Sequence, residues 1–186
     1  MVEYTGSGEI DLSVLEVPDV IDIDTLKKFL DNFSLGMNCA AVSVDREGNE
    51  ITAPSYYRSY CQDFIHRSPT GDRRCAECHN RMGEEAARTG KPFVGPCHAG
   101  LIDFAAPIII NGQHLGTVLG GQIVDKPLDE KNVRNVAHET NLDADALWAA
   151  TKKIDIVSRK NIDAAAEVLF IVVNTLAENG YRQLEI

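Results

Sequence analysis

The chain has 186 residues, 44% of them hydrophobic, and carries 28 acidic against 18 basic side chains, a net charge of −10 at neutral pH. That length lets one domain bury about two-thirds of the surface its unfolded form exposes, so no disulfide framework is needed. The acidic balance, with no Lys/Arg cluster to overturn it locally, excludes direct binding to nucleic acid or to anionic lipid surfaces.

Met1 to Asp11 has neither a basic n-region nor an apolar h-region, and nowhere does an apolar run reach the roughly eighteen residues a membrane span needs. The expectation is a cytoplasmic protein with a polar leader over residues 1–19. From Val20 to Met37, the residues Ile21, Leu26, Phe29, Leu30 and Phe33 fall at helical spacing behind the potential caps Asp22 and Asp24. Cys39 to Val44 reads as a short strand bounded by the turn formers Asp45 to Asn49, with Ile51-Thr52 starting the return strand of a hairpin. Tyr56 to Ile65 fits a short helix ended by Ser68-Pro69-Thr70-Gly71. A second helix runs from about Asp72 to Thr89, stopped by Gly90, and carries Cys75 and Cys78 one turn apart.

Two strands, Phe104 to Ile110 and Leu115 to Val124, flank Asn111-Gly112, the dipeptide best suited to a type I′ turn. Helices are predicted at Glu130 to His138 and at Ala144 to Lys153. The chain ends in one long helix from Arg159 to about Glu185. There Ile162, Ala165, Ala166, Leu169, Val172, Val173 and Leu176 form an apolar stripe at spacings of three and four. The stripe predicts a homodimer through this helix. The order of elements predicts an α+β domain, an antiparallel sheet flanked by helices, with a long C-terminal helix.

Four of the five cysteines, Cys61, Cys75, Cys78 and Cys97, are separated by 13, 2 and 18 residues. This spacing predicts a soft-metal or iron–sulfur site, and in a reducing compartment thiols act as ligands rather than as structural disulfides. Zinc would make a structural clasp, whereas an iron–sulfur cluster would add redox or gas sensing; thiolate spacing does not separate them. The plain alternative is that these are small buried residues, as Cys39 is expected to be. Cys75-Ala76-Glu77-Cys78-His79 formally matches the covalent haem attachment pattern, which the absence of an export signal disfavours, and His79 reads as a helix-surface residue. Gly116, Gly120 and Gly121 form no phosphate loop, and Cys97 beside His98 makes no nucleophile arrangement on a strand.

The run from Tyr60-Cys61 through Ser68-Pro69, Gly71, Cys75 and Gly90-Lys91-Pro92 to Cys97-His98-Ala99-Gly100-Leu101-Ile102-Asp103-Phe104, continued by Ile110-Asn111-Gly112 and Gly120-Gly121-Gln122, resembles the PocR-type sensory domain. The likeness covers about Ile21 to Val173. It implies a PAS-related fold and a ligand-sensing module of bacterial and archaeal regulators, joined to a kinase, a diguanylate cyclase or a DNA-binding output. The family pattern has cysteines matching Cys61, Cys75 and Cys97, with serine often at the position of Cys78. The fourth metal partner is therefore Cys78, His98, water or the ligand.

On a PAS-like sheet Asp103 and Phe104 enter the cavity-facing strand and Gln122 ends the next, so His98, Asp103, Phe104 and Gln122 are the expected ligand-binding residues. The reading that results is a sensory domain over 20–157 and a signalling helix over 158–186. It is a non-enzymatic cytoplasmic sensor of a small molecule, a Cys-bound metal or an iron–sulfur centre. The alternative is a thiol or redox protein that uses the cysteines for electron transfer.

Overall fold

The computed structural model describes residues 1–185. Four strands, β1 (Ala40–Asp45), β2 (Phe93–Pro96), β3 (Ile102–Ile110) and β4 (Gln113–Ile123), form one antiparallel sheet in the order β1-β4-β3-β2. β3 and β4 are joined at Asn111 and Gly112, whose φ angles of 48° and 81° are those a type I′ turn requires. Period-2 alternation sends Phe104, Ala106, Ile108 and Ile110 to one face of the sheet and Asp103 and Ala105 to the other. On the first face, helices α1 (Val17–Val20), α2 (Ile23–Met37) and α6 (Arg159–Leu184) close the principal core. On the second lies α3 (Pro69–Thr89), with α4 (Glu130–Thr140) and α5 (Ala144–Ala150) covering a smaller apolar cluster beside it. The architecture is α+β, with the antiparallel sheet and the long terminal helix that the sequence predicts.

The first predicted hairpin forms only in part, its return segment bonded to β1 by the Ile51 N–H to the Ser43 carbonyl at 2.8 Å and by the paired Ala41 and Ser55. β1 takes β4 as its partner over six residue pairs, Ala40↔Gly121 to Asp45↔Gly116, and the Ile51-Thr52 segment makes no strand. Only isolated bridges, Val44↔Glu50 and Ala41↔Ser55, mark that edge. At Ser43 the Thr52 hydroxyl, not a main-chain carbonyl, accepts from the N–H at 3.2 Å, so a side chain substitutes for one rung of the ladder.

Three helix boundaries also differ. Ser68-Pro69-Thr70-Gly71 starts α3 instead of ending its predecessor, because the Ser68 hydroxyl accepts from the Gly71 N–H at 3.1 Å and Pro69 occupies the first turn. The predicted Tyr56 helix is shortened to a π turn, Tyr60–Phe64, and a 3-10 turn, Ile65–Arg67. Tyr56 itself has φ 55°, incompatible with a right-handed helix. The edge strand β2, with Gly95 and Pro96 among its four residues, is too short to show alternation in sequence.

The segment read as a polar leader joins the core: Ile10, Leu15 and Val17 are buried, and the Arg46 guanidinium donates to the carbonyls of Leu12, Ser13 and Leu15. α6 is continuous, as predicted, but most of its stripe is covered within the chain. Ile162, Ala165, Ala166, Leu169 and Val173 are buried in the principal core, leaving Val168 and Ile171 at 40% and 60% exposure. Asn174 fastens the helix to β3, accepting from the Ile109 N–H at 2.9 Å and donating to the Pro107 carbonyl at 2.8 Å. Among the described residues no helix is long and apolar enough to cross a membrane.

Candidate functional site

Between α3 and the β1/β4 half of the sheet is a cleft of about 950 Å³. Alternation along the two strands supplies its apolar floor, Val42, Val44 and Leu119, with the hydroxyl of Thr117 among them. The α3 wall presents Cys75, Ala76, His79, Asn80 and Gly83, residues that helical periodicity places on one face, and Tyr57, Gln62 and His66 close a third side. Met82 and Ala86 join Val42, Val44, Ala105 and Leu119 in one apolar cluster beneath the helix, which packs chiefly on β3.

Gly83 governs the width of this gap. A methyl group there would find only the Thr117 hydroxyl within 4 Å, at 3.6 Å, so neither packing nor backbone conformation requires glycine. Glycine inside a helix costs about 1 kcal/mol relative to alanine. Gly83→Ala is therefore expected to raise stability by about that amount in urea denaturation; a loss of stability would show that the site is tighter than it stands.

Cys75 joins the cleft to a cluster of polar groups behind it. The Cys75 sulfur lies 3.2 Å from Nε2 of His98, whose Nδ1 is buried without a hydrogen-bond partner among the described residues. Burial, with the charges of Asp103 and Cys78 adding to it, pushes the Cys75 thiol up to about 12. Burial and Asp103 likewise hold Cys61 and Cys97 well above the usual thiol range. Burial lowers His98, which is therefore a neutral imidazole at pH 7.

Asp103 lies behind the α3 wall. Its Oδ1 accepts from the Gln122 N–H at 3.0 Å, and its Oδ2 is 3.8 Å from Nε2 of His79. Burial raises the Asp103 carboxyl and lowers His79, each effect opposed by the charge of the other group. The contact is made possible by a bulge: the register shifts between Ile102 and Asp103, Gln122 takes φ 57°, and Gly121 at φ 131° has the carboxylate where a Cβ would be. Gln122 in turn accepts from the Arg58 N–H at 2.6 Å.

A pH dependence follows from the buried carboxyl. Because Asp103 holds its proton in the folded protein to a higher pH than in the unfolded chain, its contribution is fully present below the unfolded value near 3.8 and is lost as pH rises through the folded one. Asp103→Asn keeps the acceptor for the Gln122 N–H and removes the titration. It is expected to match or exceed the parent in stability at pH 7 and to flatten that part of the profile. Greater instability of Asp103→Asn at neutral pH would mean that the ionised carboxylate is favourably paired with His79.

None of the four expected ligand-binding residues lines the cleft: His98 touches Cys75 from a separate hollow, and Asp103 and Gln122 form a polar layer behind the wall. Phe104 is in the principal core on the opposite face, where Gly120 makes room for its ring. Consecutive strand residues cannot both face one cavity, so Asp103 and Phe104 had to part. Cys61, Cys75 and Cys97 lie near Asp103, while Cys78 turns to a separate hollow that it shares with His98, Arg74, Arg81 and Glu139. Among the described residues, no three His, Cys, Asp or Glu side chains are disposed to hold one metal ion. The residues missed in sequence are Tyr57, His66, His79, Gly83 and Thr117. The four-residue step from Cys75 to His79 was the available signal for one of them.

An antiparallel sheet with a walled cleft on one face and a long terminal helix on the other defines an α+β pocket domain. The family model described as the sensory domain found in PocR matches residues 19–181. The chain therefore belongs to the PocR sensory-domain family. It is similar to the regulatory protein PocR of Salmonella typhimurium (strain LT2), 27% identical over 154 residues, which are 82% of this chain and 50% of that protein. The chain spans about half the length of that curated relative. No solved structure matches it.

Proposed function

We propose that the cleft is a sensing pocket for a small molecule and that its occupancy is relayed through α6 to an output module such as a kinase or a transcription regulator. The observation that carries this reading is the cleft itself, an apolar floor with convergent polar groups, the usual form of a small-molecule site. A physical relay is available. From Gln122 the contacts pass to Arg58, which donates to the Asn38 carbonyl at 2.9 Å and pairs closely with Asp155. The Asp155 carbonyl accepts from the Val124 N–H at 3.1 Å, and three residues later Ser158 caps α6. Such a path signals only if a ligand binds two arrangements of it with different affinity.

The test is a variant that fills the cleft from Gly83, where an added Cβ meets only the Thr117 hydroxyl. Ligand-observed NMR with a mixture of small polar and apolar fragments is expected to give hits on the parent that Gly83→Phe loses while keeping its fold. Hits retained by the variant, or none on the parent, would overturn the reading.

The metal expectation keeps one measurement, elemental analysis of anaerobically purified protein. About one zinc or iron per chain supports a ligand set that closes by side-chain rearrangement, and metal-free protein refutes it. Homodimerisation, if it uses α6, has Val168 and Ile171 left to work with. Sedimentation of the parent beside Val168→Glu/Ile171→Glu decides it, a monomeric parent ending the idea.

A further inference from the structure

We propose that the cleft takes a small organic cation, an aliphatic amine whose ammonium group meets exposed carboxylates and whose alkyl chain rests on the apolar floor. This rests on the reading of the cleft as the sensing pocket. The lining carries five carboxylates, Asp45, Glu47, Glu50, Asp72 and Glu84, against two guanidiniums, Arg46 and Arg88. Both guanidiniums are engaged within the fold. Arg46 donates to the main-chain carbonyls of Leu12, Ser13 and Leu15, and Arg88 is held through two nitrogens by Glu85 on its own helix.

The three histidines of the lining do not reverse this sign. Nδ1 of His66 lies 2.8 Å from Asp72, and Nε2 of His79 faces the buried Asp103 at 3.8 Å, so each ring that could take up a proton stands opposite a carboxyl group. His114 bonds through Nε2 to the Thr117 hydroxyl at 2.9 Å, and burial keeps it a neutral imidazole at pH 7. Even with His66 and His79 both charged, the carboxylates that line the cleft outnumber its cations.

The groups left over select the ligand. Asp45 accepts from the N–H groups of Glu47 and Asn49 in its own turn, and Asp72 is matched to His66. Glu47, Glu50 and Glu84 line the cleft without a side-chain hydrogen bond or ion pair among the described residues. They stand on two sides, Glu47 and Glu50 after β1 and Glu84 on α3, and the sides approach at Gly48, where an added Cβ would lie 3.2 Å from Oδ1 of Asn80. Tyr57 stacks on His66, and burial together with the charge of Glu50 keeps its hydroxyl protonated, a neutral acceptor beside that carboxylate. An ammonium group has three donors and no acceptor, which a carboxylate and a phenol oxygen satisfy together. A metal ion asks for tighter convergence, and among the described residues no three His, Cys, Asp or Glu side chains provide it. Val42, Val44 and Leu119 take the alkyl chain, while a carboxylate or phosphate ligand meets repulsion.

The experiment titrates n-pentylamine, pentan-1-ol and pentanoate separately into the nitrogen-15-labelled full chain at pH 7 and fixed ionic strength, following amide shifts by NMR. The amine is expected to give saturable shifts at Tyr57, Asn80 and Leu119 with an affinity roughly tenfold or more above that of the alcohol, and pentanoate none. Glu50→Gln/Glu84→Gln is expected to weaken the amine roughly tenfold and to leave the alcohol unchanged. Glu3→Gln/Glu167→Gln removes the same charge from exposed positions outside the cleft and is expected to keep the parent's affinity. No binding of the amine, an unchanged affinity in Glu50→Gln/Glu84→Gln, or an equal loss in Glu3→Gln/Glu167→Gln would each overturn the proposal. An alcohol that binds as tightly as the amine, with both lost in Gly83→Phe, overturns the cation and leaves the pocket reading standing, whereas amine binding insensitive to Gly83→Phe removes the pocket as well.

Discussion

Leu169→Glu is expected to unfold the domain, not to separate two copies of it. Leu169 has no exposed surface and packs in the principal core between α6 and β3. Placing a carboxylate there removes a leucine side chain, worth about 2 to 3 kcal/mol of burial, and strands a charge that has no partner. The combined cost is about 5 kcal/mol or more, a large share of the 5 to 15 kcal/mol that holds a typical domain together. Circular dichroism through a urea titration should show no cooperative transition, or one shifted to much lower urea. A variant with the parent's midpoint would mean that the helix does not pack on its own sheet. This expectation reverses what the stripe suggests on its own, since a partner helix would have made the same glutamate an interface lesion.

Gly180→Ala is expected to be the most damaging single-methyl change in the chain, at about 3 kcal/mol or more. Gly180 lies inside α6, where alanine would by propensity gain about 1 kcal/mol. A Cβ there would sit 1.7 Å from the Val20 carbonyl oxygen, which is backbone and cannot rotate away. α6 and α1 would have to separate by more than 1 Å, loosening the contact between the N-terminal segment and the terminal helix. Gly83→Ala makes a matched control: the same substitution inside another helix, meeting only the Thr117 hydroxyl at 3.6 Å, with the opposite sign expected. Thermal melts of the two variants side by side test the contrast, and a Gly180→Ala protein as stable as the parent would refute the close approach.

The two glycines show where reading a sequence stops. Both look like flaws in a helical pattern, and nothing in their neighbours tells that one faces a carbonyl and the other a cavity. The same limit applies to the cysteines. Cys61, Cys75 and Cys97 do gather near Asp103, but on α3 Cys75 faces the cleft while Cys78 faces the separate hollow that His98 also lines. The rotation of α3 that divides them is set where Met82 and Ala86 enter one cluster with Val42, Val44, Ala105 and Leu119, residues of elements distant in the chain.

What the sequence by itself determined is local. The Asn111-Gly112 hairpin, the long α6, the short strand β1 and the helical character of α2, α4 and α5 follow from turn chemistry and hydrophobic period, which act over a few residues. The likeness to PocR-type domains was also readable, because it is carried by contiguous runs of residues. Only the tertiary structure decided which strand β1 pairs with, which face of β3 borders the cleft, and that the stripe of α6 is buried at home. Each of these depends on long-range competition: a strand edge or an apolar face takes the partner that covers the most of it, and that partner is chosen by the whole fold.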